Sequence, residues 1–128
     1  MIENVQRVRR ASTIVASLST DVKNAVLRDV ATRIDSSVAE ILDANAQDVS
    51  AARAAGLTEA KIRRLTLTLE AVAQMAAGLR QVGKLPDPVG RVTRDDVMPS
   101  GLRVRKVRCP LGVILMIYEA RPNVTVDA

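Results

Sequence analysis

The stretch "YEARPNVTVDA", residues 118–128, gathers side chains suited to holding an anion. Arg121 carries a guanidinium that can fork two oxygens of a carboxylate or a phosphate. Asn123 carries an amide that can donate to a developing oxyanion. Glu119 and Thr125 flank them with a carboxylate and a hydroxyl. The spacing predicts a helix opening at Val124, so the N–H groups of Val124, Thr125 and Val126 would add a positive dipole end. The same residues also satisfy a plainer reading: a solvated strand–helix loop with Asn123 as the helix N-cap. The residue types alone leave both open, with the plainer one somewhat favoured.

Other groups carry less. Cys109 lies between Arg108 and Pro110, and neighbouring cations can lower a thiol pKa. The chain has no His to serve as its base, so a packed or incidental thiol is expected rather than a nucleophile. The missing His also removes the commonest metal ligand, and one Cys allows neither an intrachain disulfide nor a multi-thiolate zinc site. No metal site is expected. "RVRKVR", residues 103–108, reads as a charged edge strand that resists unwanted pairing. A nucleic-acid stripe is the weaker reading, because Tyr118 is the only aromatic residue and bases would find no stacking platform. The net charge of +5 then favours a small anionic ligand over nucleic acid. Nothing matches a Walker A loop or a GxGxxG turn.

These residues need elements to position them. The chain has 128 residues, about one domain. With no Trp or Phe, its core must come from Ala, Val, Leu, Ile and Met. Apolar residues at Ile2, Val5, Val8, Ala11, Val15 and Leu18 define one helical face. Ser19 or Thr20 can cap a second helix, whose face runs Val22, Val26, Val30, Ile34, Val38, Ile41. Asn45 and Asp48 predict a capping-box start for a short helix that stops at Gly56. Thr58 and Thr68 offer two further caps. The second opens a helix with Leu69, Val72, Met75, Leu79 and Val82 on its buried face and Gly83 at its end.

After "GKLPDPVG" the pattern changes. Two short extended segments around "PSG" predict a hairpin. "GVILMIY", residues 112–118, is a continuous apolar run of the kind found in strands covered on both faces. One such strand cannot make a sheet, so the sheet is expected to be incomplete in this chain. The fold class is α/β. Its expected segments are N-terminal helices over 1–88, a β-arm over 89–109, and the first strand with the start of a helix over 110–128. The N-terminus has no signal-peptide core, and no apolar run approaches the about 20 residues that span a bilayer. A cytoplasmic protein without a membrane partner is expected.

Two longer strings add a resemblance. "ILDANAQDVSAARAAGLTEAKIRRLTLT" and "GLRVRKVRCPLGVILMIYEARPNVTVDA" resemble the N-terminal part of the gamma-glutamyl phosphate reductase family, in the aldehyde dehydrogenase superfamily. "AAGLRQVGKLPDPVG" fits between them, so the resemblance covers essentially the whole chain. It implies an NADP(H)-dependent reduction of the acyl phosphate L-glutamyl 5-phosphate to glutamate 5-semialdehyde, with phosphate release, in proline biosynthesis. A cysteine thiolate would attack the acyl phosphate, phosphate would leave, and hydride would reduce the thioester. By the same resemblance, the nucleophilic Cys and most cofactor contacts lie beyond Ala128. The fragment alone would then be inactive. Asn123 would steady the oxyanion, and Arg121 would hold the substrate carboxylate or phosphate, with Glu119 and Thr125 beside it. Residues 89–109 would form an oligomerisation arm and give a homo-oligomer. Leu115 stands where the family commonly has Gly. The alternative is a stand-alone, self-associating helical binding module.

Overall fold

A computed structural model describes residues 2–127. Met1 and Ala128, the outer ends of the expected 1–88 and 110–128 segments, and the side chain of Ile2 lie outside the described residues. The elements run in the order α1 (Ile2–Ala16), α2 (Thr20–Ser36), α3 (Val38–Ala54), α4 (Glu59–Leu65), α5 (Leu69–Val82), β1 (Val92–Val97), β2 (Arg103–Val107) and α6 (Val124–Asp127). They form two compact units. One holds the chain up to Thr20 together with Pro86–Leu115; the other holds Asp21–Leu85 and the residues from Met116 on. Among the described residues, no helix is long and apolar enough to cross a membrane.

The helical unit has its core where α3 meets α4 and α5. Val49, Ile62, Val72, Met75 and Ala76 are buried on those three helices and Ala31 on α2, all from the aliphatic set that the composition requires. The expected second helix is broken. Ser37 leaves the helical backbone region at φ −107° and ψ 17°, which separates α2 from α3. The Ser36 hydroxyl donates 3.0 Å back to the Arg33 carbonyl. Serine hydroxyls compete in this way for helix carbonyls, and so adjacent serines bend or end helices.

The expected helix start at Asn45 is also corrected, because α3 runs straight through that residue. Asn45 is buried in mid-helix, where its Nδ2 donates to the Leu65 carbonyl at 2.8 Å and its Oδ1 accepts from the Leu67 amide at 2.7 Å. One side chain therefore satisfies both polar groups of the α4–α5 turn. Thr68 caps α5 as expected, its hydroxyl accepting from the Ala71 amide at 3.1 Å. Val72 and Met75 are buried on that helix, whereas Leu69 and Val82 at its ends are exposed. The expected faces of α1 and early α2 are uncovered in this chain too: Val5, Val8, Val15, Val22 and Val26 are all exposed.

Gly56 ends α3 at φ +73°. The Leu57 amide reaches back to the Ala52 carbonyl at 3.1 Å, and the Gly56 amide to Arg53 at 3.0 Å. This is a Schellman turn, which requires a left-handed residue at that position. Gly56→Ala should cost about 1 kcal/mol, the penalty of a Cβ in that region. No atom lies within 4 Å of the added Cβ, so the cost is purely conformational. A melting curve unchanged from the parent chain would contradict this.

The other unit contains the expected hairpin, in which β1 and β2 pair antiparallel with Asp95 opposite Arg105 and Val97 opposite Arg103. A bulge falls between Val92 and Arg94. Gly101, at φ +85°, lets the turn close with its amide 2.8 Å from the Met98 carbonyl. Arg103 forks Asp95 diagonally, Nε to Oδ1 at 2.8 Å and Nη2 to Oδ2 at 2.7 Å. That bond, and less so the charge of Arg105, hold the Asp95 carboxyl below the usual carboxylate range against a small opposing effect of burial. A depressed pKa means that the pairing helps the folded hairpin above the ordinary Asp range and is lost as pH falls through the lowered value. The Asp95 and Arg103 resonances should therefore shift together below about pH 4 in an NMR titration. Independent movement would remove the pairing.

Residues 112–118 differ from the sequence expectation. They carry no strand, and Leu115 and Ile117 are 81% and 88% exposed. A strand exists through ladder bonds to a neighbour, and among the described residues no segment pairs with this one. The sheet is incomplete, as expected, and the apolar run is therefore bare.

Candidate functional site

The loop that follows the bare run is pinned at several points. The Tyr118 hydroxyl and the Thr125 hydroxyl share a hydrogen bond across the loop. Lys61 Nζ on α4 donates to Glu119 Oε1 at 3.1 Å. Ala120 adopts φ +52°, an uncommon conformation for a residue with a Cβ. Such positions persist where surrounding bonds over-determine them. Pro122 fixes the next φ, and α6 begins two residues later and packs against α5.

The four residues singled out by sequence fall within this loop and its exit, and they meet different fates. Glu119 is neutralised by Lys61. Thr125 is occupied by Tyr118. Asn123 does not cap the helix; its Nδ2 donates to Asp127 Oδ2 at 2.8 Å. A primary amide has two N–H donors, so one remains for a ligand. Arg121 is exposed and makes no side-chain bond among the described residues. It is the loop's uncommitted cation, in the state that a fork for a carboxylate or phosphate needs.

The expected backbone anion site does not form. The Val124 amide donates to Arg121 O at 3.1 Å, Thr125 to Pro122 O at 3.3 Å, and Val126 to Asn123 O at 2.9 Å. Those N–H groups are consumed by the turn itself, and a four-residue helix adds little dipole. Cys109, expected to be packed or incidental, is exposed and has no side-chain partner among the described residues.

Two features escaped the sequence reading. The Lys61–Glu119 pair joins residues 58 positions apart, and no local pattern announces it. Asn45 had a signal, since Val38, Leu42, Asn45 and Val49 share one helical face and the polar member of a buried face needs partners.

No protein-family model matches the chain. Relatives and solved structures do. The gamma-glutamyl phosphate reductase of Xanthomonas campestris pv. campestris strain 8004 is 55% identical over 120 residues, covering 94% of this chain and 29% of that protein. The enzyme of the same name from Geobacillus thermodenitrificans is 50% identical over 128 residues, covering 100% of this chain and 31% of the relative. The crystal structure of gamma-glutamyl phosphate reductase from Thermotoga maritima matches with a TM-score of 0.88 at 39% identity, over 98% of this chain and 30% of that one. This chain is a homologue of part of gamma-glutamyl phosphate reductase. The Saccharomyces cerevisiae enzyme of that name agrees, with a TM-score of 0.87 at 29% identity over 95% of the chain. The chain spans about 30% of the length of these gamma-glutamyl phosphate reductases. The family resemblance read from the sequence is therefore shown, and the mixed helix and strand fold is shared with them.

Proposed function

We propose that this chain supplies the substrate-anion loop of a gamma-glutamyl phosphate reductase. Such an enzyme reduces L-glutamyl 5-phosphate to glutamate 5-semialdehyde with release of phosphate, in the cytoplasm and in proline biosynthesis. The observation that carries the reading is identity of 50–55% over nearly the whole chain, including a loop whose one uncommitted cation is Arg121. In this reading Arg121 forks the carboxylate or phosphate of the substrate. The free N–H of Asn123 steadies the oxygen that gains charge when the acyl carbon is attacked. Thr125 and Glu119, held by Tyr118 and Lys61, keep the loop in shape.

NADP(H) is the reductant proposed for a whole reductase. Residues 112–118 pair with no other segment among the described residues, and most cofactor contacts are proposed to come from the rest of that enzyme. The 128 residues alone are proposed to be inactive. Incubating the purified chain with glutamate semialdehyde, phosphate and NADP+ tests this: no NADPH should form, and protein-dependent formation would overturn it.

A homo-oligomer is proposed through residues 89–109. Both faces of the hairpin are open, with Val92, Val97, Val104 and Val107 exposed. A self-associating module with no catalytic role is the second reading, supported by the same open hairpin and the bare 111–118 run. Sedimentation of the purified chain tests the association common to both: a dimer or larger species is expected, and a monomer at high concentration would remove it.

A further inference from the structure

A basic cleft lies between α2 and the end of α5, away from the residues that form the 119–125 loop. It has a volume of about 360 Å³ and is lined by Arg28, Thr32, Arg80, Gly83 and Lys84. That volume is at the lower end of small-molecule sites, which run to roughly 300–1,000 Å³. Three cations meet there. Arg80 is ion-paired with Asp35, which holds it in place and cancels one charge. Asp29, the other nearby carboxylate of α2, is taken by Arg33 at 2.8 Å. Arg28 and Lys84 make no side-chain bond among the described residues, so the cleft keeps two uncompensated positive charges.

We infer that this cleft binds a small phosphate-bearing anion. A guanidinium and an ammonium lining one cleft match a dianionic phosphate: one can fork two oxygens, and the other supplies a compact point charge. The Thr32 hydroxyl donates its one proton to the Arg28 carbonyl at 2.9 Å, so the two cations, and not this hydroxyl, would hold the anion. Gly83 adds no side chain to the lining. No aromatic ring lines the cleft, which argues against a nucleic-acid strand and for a compact ligand. The inference is independent of the loop reading, since it uses none of residues 119–125.

The test is an NMR titration of the purified protein with inorganic phosphate and, separately, pyrophosphate, against sodium chloride at equal ionic strength. Saturable amide shifts centred on residues 28, 32, 83 and 84 are expected, with a Kd of about 1 mM or below for at least one probe. Saturation by phosphate alone points to a single-phosphate ligand, and preference for pyrophosphate to a diphosphate-bearing one. The Arg28→Gln/Lys84→Gln double variant, which spares the Arg80–Asp35 pair, should weaken binding at least about tenfold. Should it fail to fold, Lys84→Gln alone carries the test with a several-fold loss. Any phosphate-dependent shifts near residue 121 report the loop and are read separately from those at residues 28, 32, 83 and 84. Shifts that match sodium chloride, or saturable binding that the charge-removing variants leave intact, would overturn the inference.

Discussion

Arg121→Ala in a whole reductase carrying these residues should lower kcat/KM about 10- to 100-fold while leaving the melting midpoint almost unmoved. The two halves of this expectation have separate causes. Arg121 is exposed and bonds to no side chain among the described residues, so its removal costs the folded state little. A charge-assisted bond to a substrate anion is worth about 1.5–3 kcal/mol, which is the quoted factor in rate. Arg121→Lys should restore only part of the loss, because an ammonium cannot fork two oxygens. Steady-state kinetics beside a thermal melt separates the cases. A large fall in stability with unchanged turnover would make Arg121 a structural residue and sink its substrate role.

Asn45→Ala should destabilise the helical unit strongly, by about 2–4 kcal/mol. It strips partners from two groups at once, the Leu65 carbonyl and the Leu67 amide, in a site where Asn45 is only 6% exposed. Each buried polar group left unpaired costs about 1–3 kcal/mol. Asn45→Asp should not rescue it: the Leu67 amide would keep an acceptor, but a carboxylate oxygen would face the Leu65 carbonyl oxygen. Chemical denaturation of the three proteins checks this. If Asn45→Ala lost less than about half a kcal/mol, the turn would not depend on the clamp.

These two residues show what a sequence can and cannot disclose. The aliphatic core, the Thr68 cap, the Gly56 stop and the hairpin at 92–107 follow from local chemistry, and local chemistry is written in consecutive residues. The break at Ser37 was masked because the apolar face continues through it in register from Ile34 to Ile41. Asn45 and Asp48 imitate a cap, yet helix continuity from Val38 overrides that local signal. For residues 112–118 the apolar run was legible and its pairing was not, because a strand is a property of neighbours rather than of a segment. At the loop, sequence identified the groups but not their commitments: Glu119 to Lys61, Thr125 to Tyr118 and Asn123 to Asp127. Only contact geometry separates those from Arg121.

That these residues belong to a working gamma-glutamyl phosphate reductase is a proposal with a direct test. The direct measurement is to purify, from the native source, the protein that contains this sequence, and to record its intact mass beside its phosphate-dependent formation of NADPH from glutamate semialdehyde. Activity should follow a polypeptide roughly three times the 13.8 kDa of this chain, since the chain spans 29–31% of its relatives. A native polypeptide of 13.8 kDa with no such activity would contradict it.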